Sequence, residues 1–321
     1  MAIEHARTHA LSKPWGVSDL RPWSDARHHG ETIGEIWYER PGEAAADSSL
    51  LLKLLFTSQP LSIQVHPDDV YAQSIGLPNG KTEAWYVLRA APEAQVALGL
   101  KQRMTPQELR EAVDDGSISS LVVWRTASAG DVIFVPAGTI HAIGAGLVIA
   151  ELQQRSDATF RMFDHGRQRE LHVRDAVAVA DTGPAGFRVP SSRLTNERTL
   201  LVSHPLFVLE KLDLPPNSSW YLGADRETWL LVLGGGARTG SFGVVAGDAA
   251  FLESDRVDID VGSAGLAGLL AYTGIGLAPD LQRRLGQPDA SDAGWTHEVA
   301  LPASLTQAMA GPARGCIEAI Q

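Results

Sequence analysis

Residues 61–88 read LSIQVHPDDVYAQSIGLPNGKTEAWYVL, and the reading of the fold starts there. The stretch opens with a strand-like run that carries Gln64 and His66 two positions apart. It closes with a second strand-like run that Glu83 enters, just after Gly80 and Lys81. Residues i and i+2 of a strand point to one face, so Gln64 and His66 reach one point in space. Glu83, returning on the next strand, reaches it too. An amide oxygen, an imidazole and a carboxylate on one face suit a borderline-hard divalent metal, with Zn2+ the leading candidate. His141 supplies a fourth ligand. Between the two runs, Pro67, Asp68 and Asp69 start a short helical turn, with proline at its first position and acids beside it. Both aspartates therefore read as helix-start residues rather than catalytic ones.

Upstream, residues 1–30 are polar, with Lys13-Pro14-Trp15-Gly16 and a second tryptophan at Trp23. Residues 33–38 read as a strand, 41–49 as a loop, and 50–56 as a continuous apolar strand interrupted by Lys53. A buried, unpaired lysine is costly. Lys53 therefore either faces water from an edge strand or faces a pocket that holds an anion. Downstream, Thr105-Pro106-Gln107-Glu108 has the form of a capping box, opening a helix to about Asp115 that Gly116 ends. Strands follow at 130–136, 147–152 and 159–163, and a helix at 172–180 stops before Gly183-Pro184. From Phe187 onward the pattern returns to short strands, at 206–214, 229–233, 244–252 and 266–272. A further helix is expected at Asp280–Leu285.

A weak internal repeat runs through this pattern. The run from Glu83 to Leu88, EAWYVL, resembles ETWLLVL from Glu227 to Leu233. GDVIF from Gly130 resembles GDAAF from Gly247, but no histidine stands in the second copy where His141 stands in the first. The expected fold is all-β with a few short helices, built as two β-barrels in tandem. Residues 1–185 would carry the metal site, 186–275 would form a barrel without ligands, and 276–321 stay unassigned.

The net charge of −11 argues against nucleic acid or an anionic membrane as a general partner. It leaves room for an anionic small molecule in a local basic pocket. One cysteine, Cys316, excludes an internal disulfide and fits a reducing cytosol. With no secretory h-region and no run of ~18 apolar residues, the expectation is a cytoplasmic protein.

Gly130, Pro136, Gly138 and His141 fit G-x5-P-x-G-x2-H, which resembles the second motif of the cupin superfamily. The first cupin motif usually has two histidines and then a glutamate a few residues on. Here Gln64 takes the place of the first histidine, and Glu83 comes seventeen positions after His66. SIQVHPDD, GKTEAWY, FVPAGTIHAI and QQRSDATFRMFD, in this order, resemble type I mannose-6-phosphate isomerase in its short bacterial form. The resemblance runs over about residues 10–275, is strongest over 50–165, and implies that both tandem barrels are cupin-like jelly rolls, with the metal site in the N-terminal one.

The resemblance implies one Zn2+ per chain, held by Gln64, His66, Glu83 and His141. It implies catalytic roles for Arg161, Lys81 and Asp157, and substrate or phosphate contacts for Lys53 and Ser62. The implied reaction interconverts mannose 6-phosphate and fructose 6-phosphate through a cis-enediol. The base is left open among Lys81 paired with Asp157, a metal-bound water, and His66 or Glu83 in a double role. Two other readings stand beside the isomerase. One is another metal cupin such as an oxygenase; the other is a non-catalytic protein that binds sugar phosphates. Each residue also has a plainer reading: His66 as a structural histidine, Arg161 as a surface ion-pair partner, Asp157 as a loop acid, Lys81 as turn chemistry. His165, His172, His204 and the four N-terminal histidines read as structural or exposed.

Overall fold

The computed structural model describes residues 3–25, 31–42, 48–186, 189–239, 242–277 and 283–284. Met1–Arg283 form one compact unit; of the remainder, only Arg284 falls among the described residues. Up to residue 180 the elements are β1 (Glu4–His5), β2 (Arg7–Val17), β3 (Ile33–Glu39), β4 (Leu50–Phe56), β5 (Ile63–Val65) and α1 (Asp69–Ser74), followed by β6 (Glu83–Ala90) and β7 (Gln95–Leu100). Next come α2 (Pro106–Asp114), α3 (Ile118–Leu121), β8 (Val122–Thr126), β9 (Val132–Val135), β10 (His141–Ile143), β11 (Leu147–Gln154), β12 (Phe160–Phe163) and α4 (Val173–Val179). The later strands are β13 (Ser192–Arg193), β14 (Arg198–Ser203), β15 (Phe207–Leu214), β16 (Ser219–Ala224), β17 (Thr228–Thr239), β18 (Phe242–Val245), β19 (Ala249–Leu252) and β20 (Asp255–Thr273).

The chain is mostly β, with few helices. Two antiparallel sheets share the first half, in the orders β2-β3-β4-β11-β6-β9 and β12-β5-β10-β7-β8. They face each other across one apolar layer, to which Leu55, Trp85 and Ile149 come from the first sheet and Val96, Leu98 and Ile143 from the second. The outer face of the second sheet packs its Ile63, Val65 and Ala142 against Leu109, Val113 and Ala176 of the helices. The other face of the first sheet packs Leu52, Leu54 and Ala150 against Phe207, Trp229, Leu231 and Phe251. A third sheet, ordered β1-β19-β17-β20-β15-β14-β13, carries those last residues; β16 pairs with β20, and β18 with β17.

The first sheet is thus buried on both faces, and its central strands β4 and β11 are apolar almost throughout, as such strands must be. The closed barrels expected from the sequence are not what these sheets form. Each of the first two orders ends in edge strands, and the halves meet by side-chain packing across the gap rather than by a closed ladder.

Other expectations need adjustment. Residues 7–17 form an edge strand whose outer side chains are exposed, so no alternating apolar signal marks it. Residues 244–252 make two strands, not one, because Gly247 turns the chain at φ +94° against the Trp23 carbonyl, where a Cβ would lie 2.0 Å from that oxygen. Helix α1 is capped by Asp68, which accepts from the Tyr71 N–H, so Pro67 lies just outside the helix. The Thr105 capping box is present as read, with Glu108 answering the Thr105 backbone. The helix expected at Asp280–Leu285 lies outside the described residues save Arg283–Arg284, which are extended. Among the described residues, no helix is long and apolar enough to cross a membrane.

Candidate metal centre and its cavity

Gln64 sits between Ile63 and Val65, whose side chains pack outward on the helices, so its own side chain turns inward between the sheets. His66 follows on the same face. On the neighbouring strand β10, His141 stands directly opposite Gln64. Glu83 begins β6, which belongs to the facing sheet rather than to the strand beside β5. The carboxylate therefore meets the two imidazoles across the sandwich. His66 Nε2 lies 3.5 Å from Glu83 Oε2, and His141 Nε2 lies 3.5 Å from Glu83 Oε1. Gln64 Nε2 is 3.3 Å from His141 Nε2. All four side chains converge on one point.

The second contacts of the histidines decide which nitrogen faces that point. His66 Nδ1 donates to the Ala158 carbonyl at 2.8 Å, and His141 Nδ1 donates to the Thr139 carbonyl at 2.9 Å. Both Nε2 lone pairs are thereby turned inward, in the tautomer a metal requires. Both rings are buried. Burial, with Lys81 and His141 nearby, holds the His66 pKa far below its usual value. Burial likewise brings His141 down to about 4. Neutral imidazoles are the form that ligates.

The Lys81 ammonium lies 2.9 Å from His66 Nε2 and in very close contact with Glu83 Oε2. Its pKa is raised: burial opposes the charge, but Glu83 and Glu151 outweigh it. A cationic group already sits against this donor set. His66, Glu83 and His141, with ligand atoms within 4.8 Å of one another, thus fit a metal ion in both charge and lone-pair direction.

A cavity of about 230 Å3 opens beside these residues. Gln64, Glu83, Lys81, Lys53, Ser62, Asp157 and Arg161 all line it, so the sequence-expected site residues come together, with His66 and His141 buried behind them. Lys53 does not face water: β4 is an interior strand, and Lys53 is 4% exposed. It lies 3.5 Å from Glu151 and 4.4 Å above the Trp37 ring. Ser62 Oγ donates to Gln64 Oε1 at 2.9 Å. Arg161 stands opposite Gln64 on β12, and its Nη1 donates to the Glu170 carbonyl at 2.8 Å.

Sequence reasoning passed over other lining residues, notably Glu151, Glu35, Lys13, Trp15 and Arg169. Glu151 had a signal, for it interrupts the apolar run LVIAEL just as Lys53 interrupts LLLKLLF.

No family model matches the chain. Over 170 residues it is 39% identical to mannose-6-phosphate isomerase of Streptococcus mutans, covering 50% of this chain and 54% of that protein. Over 165 residues it is 35% identical to mannose-6-phosphate isomerase ManA of Bacillus subtilis, covering 48% and 52%. The match spans about half the length of these curated relatives. The crystal structure of the mannose 6-phosphate isomerase from Bacillus subtilis superposes with a TM-score of 0.74, at 24% identity, over 85% of this chain and all of that one.

The chain resembles the mannose-6-phosphate isomerases over about half its sequence and shares their fold. A zinc-bound mannose 6-phosphate isomerase shares that fold with a TM-score of 0.66 at 15% identity, over 86% of this chain. The phosphomannose isomerase fold places β5, β6 and β10 around one interior point here, and the ligand-type side chains of this chain stand on those strands or just beyond their ends.

Proposed function

We propose that the protein is a metal-dependent aldose–ketose isomerase that interconverts mannose 6-phosphate and fructose 6-phosphate. The observation that carries this reading is one cavity lined by Gln64, Glu83 and the buried Lys81, with the metal-type histidines His66 and His141 directly behind its wall. Gln64, His66, Glu83 and His141 would hold one Zn2+, in the half of the chain formed by residues 1–185. The bound ion would supply Lewis acidity, polarising the sugar's C1 and C2 oxygens.

The rest falls to the chain's own side chains. Moving a proton between C2 and C1 needs a base and a stabiliser for the oxyanion that develops. Arg161 reaches the cavity from β12 with its Nε unpartnered among the described residues, which suits it to that oxyanion. Lys81, wedged between His66 and Glu83, is positioned to carry the proton, with Asp157 on the same cavity wall. Lys53 and Ser62 contact the substrate from the facing sheets. The second half of the chain, residues 186–275, buttresses the first as a cupin-like unit without metal ligands. There Glu227 repeats Glu83: Trp229 Nε1 donates to Glu227 at 3.0 Å, as Trp85 Nε1 does to Glu83 at 3.0 Å.

The test is turnover of mannose 6-phosphate by purified protein before chelation, after it, and after zinc is restored. Activity lost and regained supports the reading. Inactivity in every state, with zinc bound, removes it, and iron in place of zinc turns it toward an oxygenase.

A further inference from the structure

Strand β12 ends the second sheet on one side and pairs with β5 by one edge. The backbone groups on its outer edge need partners from elsewhere, as on any edge strand. At Arg161 one residue supplies both. The His172 N–H donates to the Arg161 carbonyl at 2.8 Å, and the Arg161 N–H donates to His172 Nδ1 at 3.1 Å. The histidine takes the place of a neighbouring strand, and its ring nitrogen stands in for the carbonyl that a strand would offer. Two residues earlier, the Glu170 carbonyl accepts from Arg161 Nη1 at 2.8 Å. The returning chain thus grips Arg161 by its backbone and by its guanidinium.

The local structure gives no other use for a histidine at this position. His172 is the N-cap residue of α4, where Ser, Thr, Asp or Asn is the usual choice, yet its ring is not spent on the helix. The ring is half-buried, 6.2 Å from that of Phe160, the residue before Arg161. To accept from an N–H, Nδ1 must carry a lone pair, so the ring is neutral with its proton on Nε2. Phe160 and Met162 pack on the helix side of β12, which turns Arg161 between them toward the cavity. Among the described residues, His172 is not one of those that line the cavity. What it does for a substrate there it does through Arg161.

We propose that His172 is a positioning residue for Arg161: it locks the backbone from which the guanidinium enters the cavity. The inference rests on the reading of Arg161 as the group that stabilises the developing oxyanion. Its physical basis is that such a donor works only when it is held in place before the charge develops. A misplacement of about 1 Å, caused away from the chemistry, can cost about 10²-fold in rate. A residue that sets only this placement should act on kcat and leave substrate binding almost alone.

The test compares His172→Phe, which keeps a ring and removes the acceptor, with His172→Asn, whose Oδ1 stands at the branch position of Nδ1. In the zinc-loaded protein, His172→Phe is expected to lower kcat for mannose 6-phosphate about tenfold or more, with KM within about twofold. His172→Asn should bring kcat back to within about threefold of the wild type. Added to Arg161→Met, His172→Phe should cost no further kcat, because its effect runs through the arginine. Two readouts need no turnover. Hydrogen exchange at the Arg161 amide should be about tenfold faster in His172→Phe and be restored in His172→Asn. Nitrogen NMR of the wild type in mildly alkaline buffer should show the His172 proton on Nε2. Unchanged kcat and exchange in His172→Phe, a further full loss of kcat in the Arg161→Met background, or a wild-type ring protonated on Nδ1 would each overturn the proposal. Exchange at Arg161 that follows the two variants as expected, in a protein that does not turn over mannose 6-phosphate, would uphold the hold on Arg161 and sink the isomerase reading alone.

Discussion

Lys53 and Glu151 stand directly opposite each other on β4 and β11, with Nζ and Oε1 3.5 Å apart and both side chains about 5% exposed. Each interrupts an apolar strand at the same level of the first sheet, and each accounts for the other. Burial and the neighbouring Glu83 push the Glu151 pKa up, so this carboxylate depends on Lys81 and Lys53 to stay charged. Removing one partner of such a pair leaves the other buried and uncompensated. Lys53→Met alone should therefore cost about 3–5 kcal/mol in denaturant unfolding, whereas Lys53→Met with Glu151→Leu should recover most of that loss. Equal losses in the single and double variants would mean that the pair is not what keeps these charges inside.

Lys81 occupies the point on which the metal-type donors converge, 2.9 Å from His66 Nε2. An ammonium there repels a divalent cation and competes with it for Glu83. Lys81→Met is expected to tighten zinc binding at least about tenfold, measured by competition with a chromophoric chelator. The same variant should lose turnover, because the proton carrier is gone. Weaker zinc binding in Lys81→Met would show that the lysine supports the ligands instead of competing with the ion.

Arg161 is set by β12 and by its bond to the Glu170 carbonyl, and its guanidinium enters the cavity without a carboxylate partner among the described residues. Arg161→Met should lower kcat by about 10²–10³, the size of losing one oxyanion donor, with a smaller change in KM. Steady-state kinetics on the zinc-loaded protein separates the two. A change confined to KM would move Arg161 from the chemistry to substrate binding.

How much of this was legible in the chain depends on the signal each residue left. Gln64 and His66 were readable because strand periodicity is strict, and His141 because glycine and proline bracket it at fixed spacing. Lys53 was readable as an anomaly, a charge inside an apolar run. Glu83 was readable as a donor but not as a residue of the opposite sheet, since local pattern says which face a side chain takes and nothing about which sheet faces it. Arg167 and Arg169, which pack on Trp15, left no signal for a different reason. DHGRQRE, residues 164–170, has the composition of a solvated loop, and only tertiary packing folds Arg167 and Arg169 over Trp15. Trp15 itself lay in a segment with no alternating pattern, at the end of an edge strand.

Glu227 has the same contact to a tryptophan two residues on as Glu83 has, yet its other partners are Ser48 Oγ at 3.0 Å, the Ser49 N–H at 2.7 Å and the Leu50 N–H at 3.0 Å. In the second copy of the repeat, the carboxylate fastens the start of β4. Glu227→Leu should destabilise the protein by about 2–4 kcal/mol, since it strips a charged acceptor from buried donors. Zinc stoichiometry at saturation should stay the same. Loss of zinc together with stability would show that the β4 entry it fastens is also needed to assemble the metal centre.

The two inward histidines give the metal-free protein a definite response to acid. Both pKa values are depressed in the folded state, His141 to about 4, against an ordinary value of 6.5. Between those values the unfolded chain binds protons that the folded one refuses. The stability they contribute is therefore fully present above pH 6.5 and is lost as pH falls toward about 4. With two such groups the slope reaches up to about 2.7 kcal/mol per pH unit. Urea unfolding of the chelated protein from pH 7.5 to 4.5 should show this fall, and His66→Asn with His141→Asn should flatten it. Bound zinc holds both rings deprotonated and stabilises only the folded form, so the loaded protein should keep its stability to lower pH until protons displace the ion. A chelated protein whose urea midpoint does not move across this range would mean that the histidines are protonated within the fold, and that the inward Nε2 atoms are not the lone pairs the metal reading requires.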